Sequence, residues 1–86
     1  MKVETDSNGA RTTIRLIGRV SARDIEELTR QLQSESRAIA TIIDLREVTL
    51  VDLEVVRFLM VCEARGTRIE NCPSYVRQWM IQERSV

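Results

Sequence analysis

Asp44, Arg46 and Asp52 are the side chains in this sequence whose types and spacing could serve chemistry. Asp44 lies at the C-terminal end of an apolar, β-branched run over residues 39–45, directly before its last residue, and Asp52 lies eight residues after Asp44. Carboxylates at the C-terminal ends of parallel strands lie where open α/β sheets place their working groups. With Arg46 between them, the two carboxylates could bind a small ligand such as a nucleotide. Ion pairs that cap loops are a commoner use of the same residues, and both interpretations stay open at this point.

The chain has no histidine, and this removes much of the chemistry available to a small protein. Triads of the Ser–His–Asp or Cys–His type and most catalytic zinc sites need an imidazole. The three glycines are not clustered, and the phosphate-binding pattern G-x-x-x-x-G-K-S/T does not occur. The sequence therefore predicts no catalytic residue, no metal site, no cofactor and no enzymatic activity.

Cys62 and Cys72 are the two cysteines of the chain, and they are ten residues apart. No further cysteine or histidine accompanies them, so their spacing does not predict a metal site. Cys62 lies in an apolar helical stretch, where a free thiol usually behaves as a small hydrophobic side chain. We expect two structural thiols, with a disulfide or a reactive thiol as the alternatives.

Size and charge restrict the remaining classes of protein. A length of 86 residues fits a single domain over residues 1–86. Thirteen acidic side chains balance 13 basic ones, and the arginines are scattered, so no polyanion-binding surface and no nucleic-acid partner are predicted. The N-terminal residues resemble neither a signal peptide nor a membrane span. We expect a soluble cytoplasmic protein that does not bind membranes.

Alternating apolar residues predict a β-hairpin, with strands over residues 2–6 and 11–18. Ser7-Asn8-Gly9 is the expected turn, because Asn and Gly adopt positive φ at low cost. Ile14 and Leu16 fall on the face that should be buried. Gly18 is expected to end the second strand.

Three helices with one apolar stripe each are predicted after the hairpin. The first covers residues 22–34 behind the capping pattern of Ser21 and Asp24, and the second covers residues 53–65, from the N-cap Asp52 to Gly66. Cys72-Pro73-Ser74 opens the third. The expected inward stripes are Ile25, Leu28 and Leu32, then Leu53, Val56, Leu59, Met60 and Ala64, then Val76, Trp79 and Met80.

Residues 39–45 are predicted to form the central strand, because a short β-branched run is typical of a strand covered on both faces. An irregular connection over residues 46–51 should follow it, and a short edge strand should cover residues 67–71. The resulting order is ββαβαβα. The predicted fold is a layered α/β domain with a mixed, largely parallel sheet and covering helices.

The segment over residues 42–52 resembles the STAS domain, the family of sulfate-transporter and anti-sigma-factor-antagonist domains. An apolar strand ends in Asp44-Leu45, and Val48 and two apolar residues lead to Asp52. Residues 14–20, 65–69 and 71–76 extend the resemblance over most of the chain. It implies a bacterial regulatory module that docks a protein partner, such as an anti-sigma factor kinase or another STAS protein. Longer members of the family continue for a further strand and helix.

The resemblance fails at the position of the family's regulatory chemistry. In the anti-sigma antagonists, a serine directly after the helix-starting Asp is phosphorylated, which releases the partner. Leu53 occupies that position here, so no phosphoacceptor is predicted. The expected partner-docking residues are Arg46, Thr49, Asp52, Leu53 and Glu54. Leu53 could serve either as an apolar anchor for the partner or as part of the core.

Two other functions remain possible from the sequence. The chain could be a homo-oligomeric assembly subunit without a switch, since Tyr75, Trp79 and Met80 are of types enriched at interfaces and the 67–71 strand could leave a free edge. A possible homodimer belongs to this alternative. A nucleotide-binding module is less favoured, because it would rest on Asp44, Arg46 and Asp52 alone.

Overall fold

Strands and helices alternate in the predicted order in the computed structural model, which describes residues 1–34 and 40–85. Ile39, predicted to begin the central strand, lies outside the described residues. A single 3-10 turn, Ala22–Asp24, runs directly into α1. The elements are β1 (Lys2–Asn8), β2 (Arg11–Val20), α1 (Ile25–Ser34), β3 (Ala40–Val51), α2 (Leu53–Ala64), β4 (Arg68–Glu70) and α3 (Ser74–Arg84).

The four strands form one mixed sheet in the order β1-β2-β3-β4. β1 and β2 are antiparallel, whereas β3 runs parallel to both β2 and β4. The hairpin turn is shorter than predicted, because Ser7 and Asn8 pair with β2 and only Gly9 and Ala10 lie between the strands. Gly9 has φ +64, which explains a glycine in so tight a connection. The predicted fold class is confirmed.

β2 and β3 are both longer than predicted. Gly18 does not end β2, although its φ of +86 is one that other residues rarely adopt. The supposed irregular connection over residues 46–51 is part of β3. Pairing advances from Arg15↔Asp44 to Ile17↔Glu47 and from Gly18↔Val48 to Arg19↔Leu50, so β3 carries an extra residue at each of two bulges.

Those bulges explain why the sequence pattern concealed the second half of β3. Leu45, Val48 and Val51 all face the core, with exposures of 0%, 8% and 5%. Their spacing is three residues, whereas a regular strand returns to the same face every two residues. The period of two was therefore absent from the sequence, and the strand prediction stopped too early.

One hydrophobic core lies between the sheet and the helices. Val56 and Leu59 of α2 are buried as predicted, but Val55 and Cys62 complete its inward face, while Leu53 and Met60 are half-buried and Ala64 is exposed. Trp79 of α3 packs against the core without being fully buried. The core residues are Ile14, Leu16, Val20, Leu28, Ile43, Leu45, Val48, Val51, Val55, Val56, Leu59, Cys62, Val76 and Met80.

The predicted helix ends are present in the structure. Gly66, with φ +100, follows α2, and its N–H donates to the Glu63 carbonyl while the Thr67 N–H donates to the Cys62 carbonyl. This pair of bonds is a Schellman motif.

Both cysteines are free thiols, with Cys62 buried and Cys72 half-buried, as expected for structural thiols. Within the described residues, no helix is long and apolar enough to cross a membrane.

Candidate partner-docking site

Asp52 lies at the junction of β3 and α2 and holds the starts of two helices. Its Oδ1 accepts the Val55 N–H at 3.0 Å, which is the predicted N-cap of α2. Its Oδ2 accepts the Ala22 N–H at 2.8 Å, at the beginning of the turn that leads into α1. A capping bond of this kind contributes about 1 kcal/mol, and Asp52 makes two such contacts. One carboxylate therefore fixes the two helix N-termini relative to each other.

The start of α1 is also held by its own capping residues. The Ser21 N–H donates to Asp24 Oδ2 at 2.9 Å, and the Ser21 hydroxyl lies 3.3 Å from the same oxygen. The Asp24 N–H in turn donates to the Ser21 carbonyl at 2.9 Å. The predicted capping pattern is thus present, and both helix starts that meet at Asp52 are ordered by local hydrogen bonds.

Two shallow cavities share Asp52 as part of their lining. One, of about 480 Å³, extends along the first helix start and includes Arg19, Ser21 and Arg23. The other, of about 320 Å³, lies against the end of β3 and includes Leu50 and Val51. The two cavities also share Arg19 and Ser21, so the surface around Asp52 is indented from the first helix start to the end of β3.

Leu53 is the first residue of α2 and is half-buried. Phe58, Met60 and Trp79 are half-buried as well, but they pack against the core, and Leu53 is not among the described residues that do so. Leu53 is therefore not part of the described core, and the apolar-anchor interpretation stays open. No hydroxyl is present in the first turn of α2, where Leu53, Glu54 and Val55 follow Asp52.

Two exposed apolar side chains lie at the end of β3, and the sequence analysis considered only Tyr75 of the two, for self-assembly. Leu50 is 47% exposed and Tyr75 is 45% exposed. The Tyr75 hydroxyl donates to the Thr49 carbonyl at 3.4 Å, which brings the start of α3 to the end of β3. Leu50 was missed because residues 46–51 were interpreted as a connection, and the nearness of Tyr75 had no signal in the sequence.

Glu54 is exposed on α2, and its carboxylate lies 3.8 Å from the Arg57 guanidinium. A carboxylate in the first helical turn also stabilises the helix dipole. Arg46 is exposed, but it precedes Asp52 by six residues of β3, or about 20 Å at ~3.3 Å per residue. The structure therefore places Asp52, Leu53 and Glu54 together at the start of α2, Thr49 three residues before Asp52 in β3, and Arg46 three residues further back.

Asp44 does not belong to this site, contrary to the ligand-binding interpretation. It lies within β3 rather than at its end, and it is 6% exposed. The Arg46 N–H and the Asn71 amide donate to its Oδ1 at 2.9 and 3.0 Å, and Arg15 Nε lies 3.4 Å from its Oδ2. Burial alone would raise the pKa of Asp44, but these three contacts outweigh burial and hold the pKa below its ordinary value.

Asp44 and Asp52 thus serve different parts of the fold. Asp44 ties β2, β3 and the residue after β4 together, whereas Asp52 ties two helix starts. The sequence-based cluster of Asp44, Arg46 and Asp52 is not assembled. Asp44 forms an ion pair with Arg15 from within β3, and Asp52 caps helix starts through backbone N–H groups, so both carboxylates have structural roles other than the predicted loop-capping ion pairs.

Comparison with known proteins identifies the family. A family model described as "Mlab, STAS domain" matches residues 3–81. The chain belongs to the STAS domain family. The resemblance drawn from residues 42–52 is therefore confirmed. No curated protein matches the sequence of this STAS domain.

Solved structures share the fold of this STAS domain. The anti-sigma factor antagonist SpoIIAA in its unphosphorylated form matches with a TM-score of 0.63 and 14% identity, over 88% of this chain and 79% of that one. A chain in the crystal structure of Mglu matches with a TM-score of 0.66 and 19% identity over 83% of this chain. The match covers only 19% of the length of the chain in the Mglu structure. At these identities the likeness is one of fold.

Proposed function

We propose that this STAS domain is a non-enzymatic module that binds a regulatory protein in the bacterial cytoplasm, in the manner of an anti-sigma factor antagonist. The partner would be an anti-sigma factor kinase or another STAS protein. Membership in the family and the fold shared with SpoIIAA support this class of function. The observation that carries it is the apolar surface near the start of α2, whose first turn Asp52 caps through the Val55 N–H while its other oxygen accepts the Ala22 N–H before α1.

The docking surface consists of Thr49, Leu50, Asp52, Leu53, Glu54 and Tyr75. Leu50 and Tyr75 each leave nearly half of their surface in solvent, and Leu53 is half-buried. Aromatic and apolar side chains that can be desolvated at the centre of an interface contribute most of the binding energy. Because Asp52 orders the first turn of α2, the surface is formed before a partner arrives, which limits the entropy lost on binding.

Partner binding at this surface has no phosphorylation switch at the family position. Phosphorylation there would add charge and three acceptor oxygens at the start of α2. Leu53 has no hydroxyl to receive the phosphate. We therefore expect formation of the complex to depend on the concentration of the partner and not on phosphorylation of residue 53.

The proposal is tested by affinity purification from the native bacterium with the wild type and the Leu50→Ser variant, followed by identification of the retained proteins. We expect the wild type to retain an anti-sigma factor kinase or another STAS protein, and the Leu50→Ser variant to lose it. Val61→Ser is the matched control, because Val61 is 49% exposed but lines the groove between α1 and α2. Recovery of neither class of protein, or equal retention by Leu50→Ser, would contradict the proposal.

A further inference from the structure

The two edges of the sheet differ in length and regularity. β4 forms one edge and has three residues, bounded by the Schellman motif before it and by Asn71 with φ +54 after it. β1 forms the other edge with seven residues, and in the described structure it pairs on one side only. An unpaired edge strand offers its N–H and C=O groups to another strand. β1 is long enough to be such a template, and β4 is not.

β1 lacks two of the features that usually keep edge strands apart. It contains no proline, and its register with β2 runs without a shift from Lys2↔Ile17 to Asn8↔Arg11. Six of its seven residues are exposed, and Val3 alone is half-buried. The feature that remains is charge, since Lys2, Glu4 and Asp6 follow one another on one face.

That charged face is the one turned away from the helices. Val3 and Thr5 pair with Leu16 and Ile14, whose side chains are in the core, so the alternate residues of β1 lie on the opposite face. Arg15 is paired with Glu4 on this face, and the Arg15 guanidinium lies 3.8 Å from the Glu4 carboxylate. Glu4 therefore has a positive neighbour within its own chain.

The order of charges along β1 is complementary to itself. When two antiparallel copies meet about a twofold axis at Glu4, Lys2 of each copy is directly opposite Asp6 of the other, and Val3 is opposite Thr5. The two Glu4 carboxylates face each other, each beside its own Arg15. Opposite charges in directly facing positions stabilise a strand pair, and like charges destabilise it.

Neighbouring registers are less favourable. In β1 the N–H and C=O groups of every second residue point to the free edge. Two antiparallel copies can form hydrogen bonds only when residues of this set face each other, and this places the twofold axis at a residue and not between two residues. With the axis at Thr5, Glu4 is opposite Asp6 twice, and both are acidic. With the axis at Val3, Asp6 has no facing residue in β1 and the overlap is shorter. The register centred on Glu4 pairs residues 2–6 of the two copies, and it is the one of these three in which Lys2 and Asp6 both face an opposite charge.

We propose that two copies of this chain pair antiparallel through β1, which joins their four-stranded sheets into one continuous sheet. The helices of both copies then lie on the same side of the joined sheet. The interface is one pair of strands and is small, so the dimer should dissociate on dilution. None of the docking-surface residues takes part, and the dimer and the partner complex can therefore be present or absent independently.

Sedimentation velocity over a concentration series in low-salt buffer tests this interface. We expect the wild type to form a dimer as its concentration rises. In the proposed dimer, residue 2 of each copy faces residue 6 of the other. Both positions are acidic in a pair of Lys2→Glu copies and both are basic in a pair of Asp6→Lys copies, so each variant alone should remain monomeric. An equimolar mixture of the two variants should recover the dimer, because acidic positions then face basic ones at both ends of the pair.

Arg68→Glu on the short edge strand is the control and should dimerise like the wild type, since Arg68 is an exposed charge on β4. A wild type that stays monomeric at every concentration would refute the proposal. So would dimers that persist in both single variants, or a mixture that stays monomeric. All the substituted residues are exposed, and equal thermal unfolding temperatures would show that the fold is intact.

Discussion

At the scale of single residues, Asp52 shows how a local signal can have a distant consequence. Its role as N-cap of α2 follows from the sequence, because a carboxylate precedes an apolar helical run. Its second contact, with the Ala22 N–H, joins positions 30 residues apart and has no local signal. Leu53 is similar, since its side of the helix can be derived from spacing but its degree of burial depends on neighbours from other elements.

Replacement of Asp52 by alanine should destabilise the domain by about 2 kcal/mol, because two N–H groups lose their acceptor. Asp52→Asn should cost about 1 kcal/mol, since its single carbonyl oxygen can accept one of the two bonds. Urea unfolding followed by circular dichroism measures both values. Glu26→Ala is the control, because Glu26 is an exposed carboxylate of α1. An Asp52→Ala variant as stable as this control would show that the double cap contributes nothing.

At the scale of elements, helix boundaries were easier to predict than strand boundaries. Capping residues and Gly66 mark the helix ends chemically, and the structure has them within a few residues of the predicted positions. β3 has no such marks. Its two bulges change the spacing of the core-facing residues to three, so the true end at Val51 could be found only from the pairing with β2.

Ion pairs connect α2 and α3, and the periodicity of the sequence did not predict which charged residues form them. Glu63 accepts hydrogen bonds from Arg77 at 2.9 Å and Arg84 at 3.1 Å, and Arg57 Nε bonds Glu83 at 2.9 Å. The hydrogen bond from Arg77 is the largest cause of a lowered pKa at Glu63, and it outweighs the opposing effect of burial. The ionised form of Glu63 is therefore favoured in the folded state.

Glu63→Gln should lower the free energy of unfolding at pH 7 by about 0.5–1 kcal/mol, a modest value because these side chains are partly exposed. A folded pKa below the ordinary 4.5 means that the stabilisation is complete above that value and is lost as the pH falls through the folded pKa. The difference between wild type and variant should thus close in acid. Unfolding curves from pH 7 down to about pH 3 measure it.

Glu27→Gln is the matched control, since the pair of Glu27 with Arg30 lies within α1 and is more exposed. It should change stability by no more than about 0.5 kcal/mol at any pH. A difference for Glu63→Gln that stays constant with pH would mean that its ionisation does not contribute to the contact between the two helices.

At the scale of the whole molecule, the order of layers was accessible from the sequence, and the surfaces were not. The alternation of strands and helices and the segment over residues 42–52 together predicted the sheet and the family. Surface features depend on what is left uncovered after packing. Of the three residues considered for an interface, Trp79 and Met80 pack against or within the core and Tyr75 is exposed, as are Leu50 and the edge of β1.

Phosphorylation at the start of α2 would require both a hydroxyl at residue 53 and a surface to which a kinase can bind, and Leu53 lacks the hydroxyl. Leu53→Ser places a hydroxyl directly after Asp52, at the position the family uses. Leu53 is not among the core-packing residues, so the substitution should cost less than about 1 kcal/mol, far below the ~2–5 kcal/mol expected for Leu59→Ala in the core. The fold should therefore survive the change.

With ATP and the anti-sigma factor kinase that we expect the wild type to retain, intact-mass spectrometry should show one added phosphate on Leu53→Ser and none on the wild type. The new phosphate would lie between the carboxylates of Asp52 and Glu54, and this concentration of negative charge should weaken binding of the kinase. Phosphate on the wild type, for example at Thr49, would reveal a switch at another position. An unmodified Leu53→Ser variant that still binds the kinase would show that the kinase does not present ATP to the start of α2.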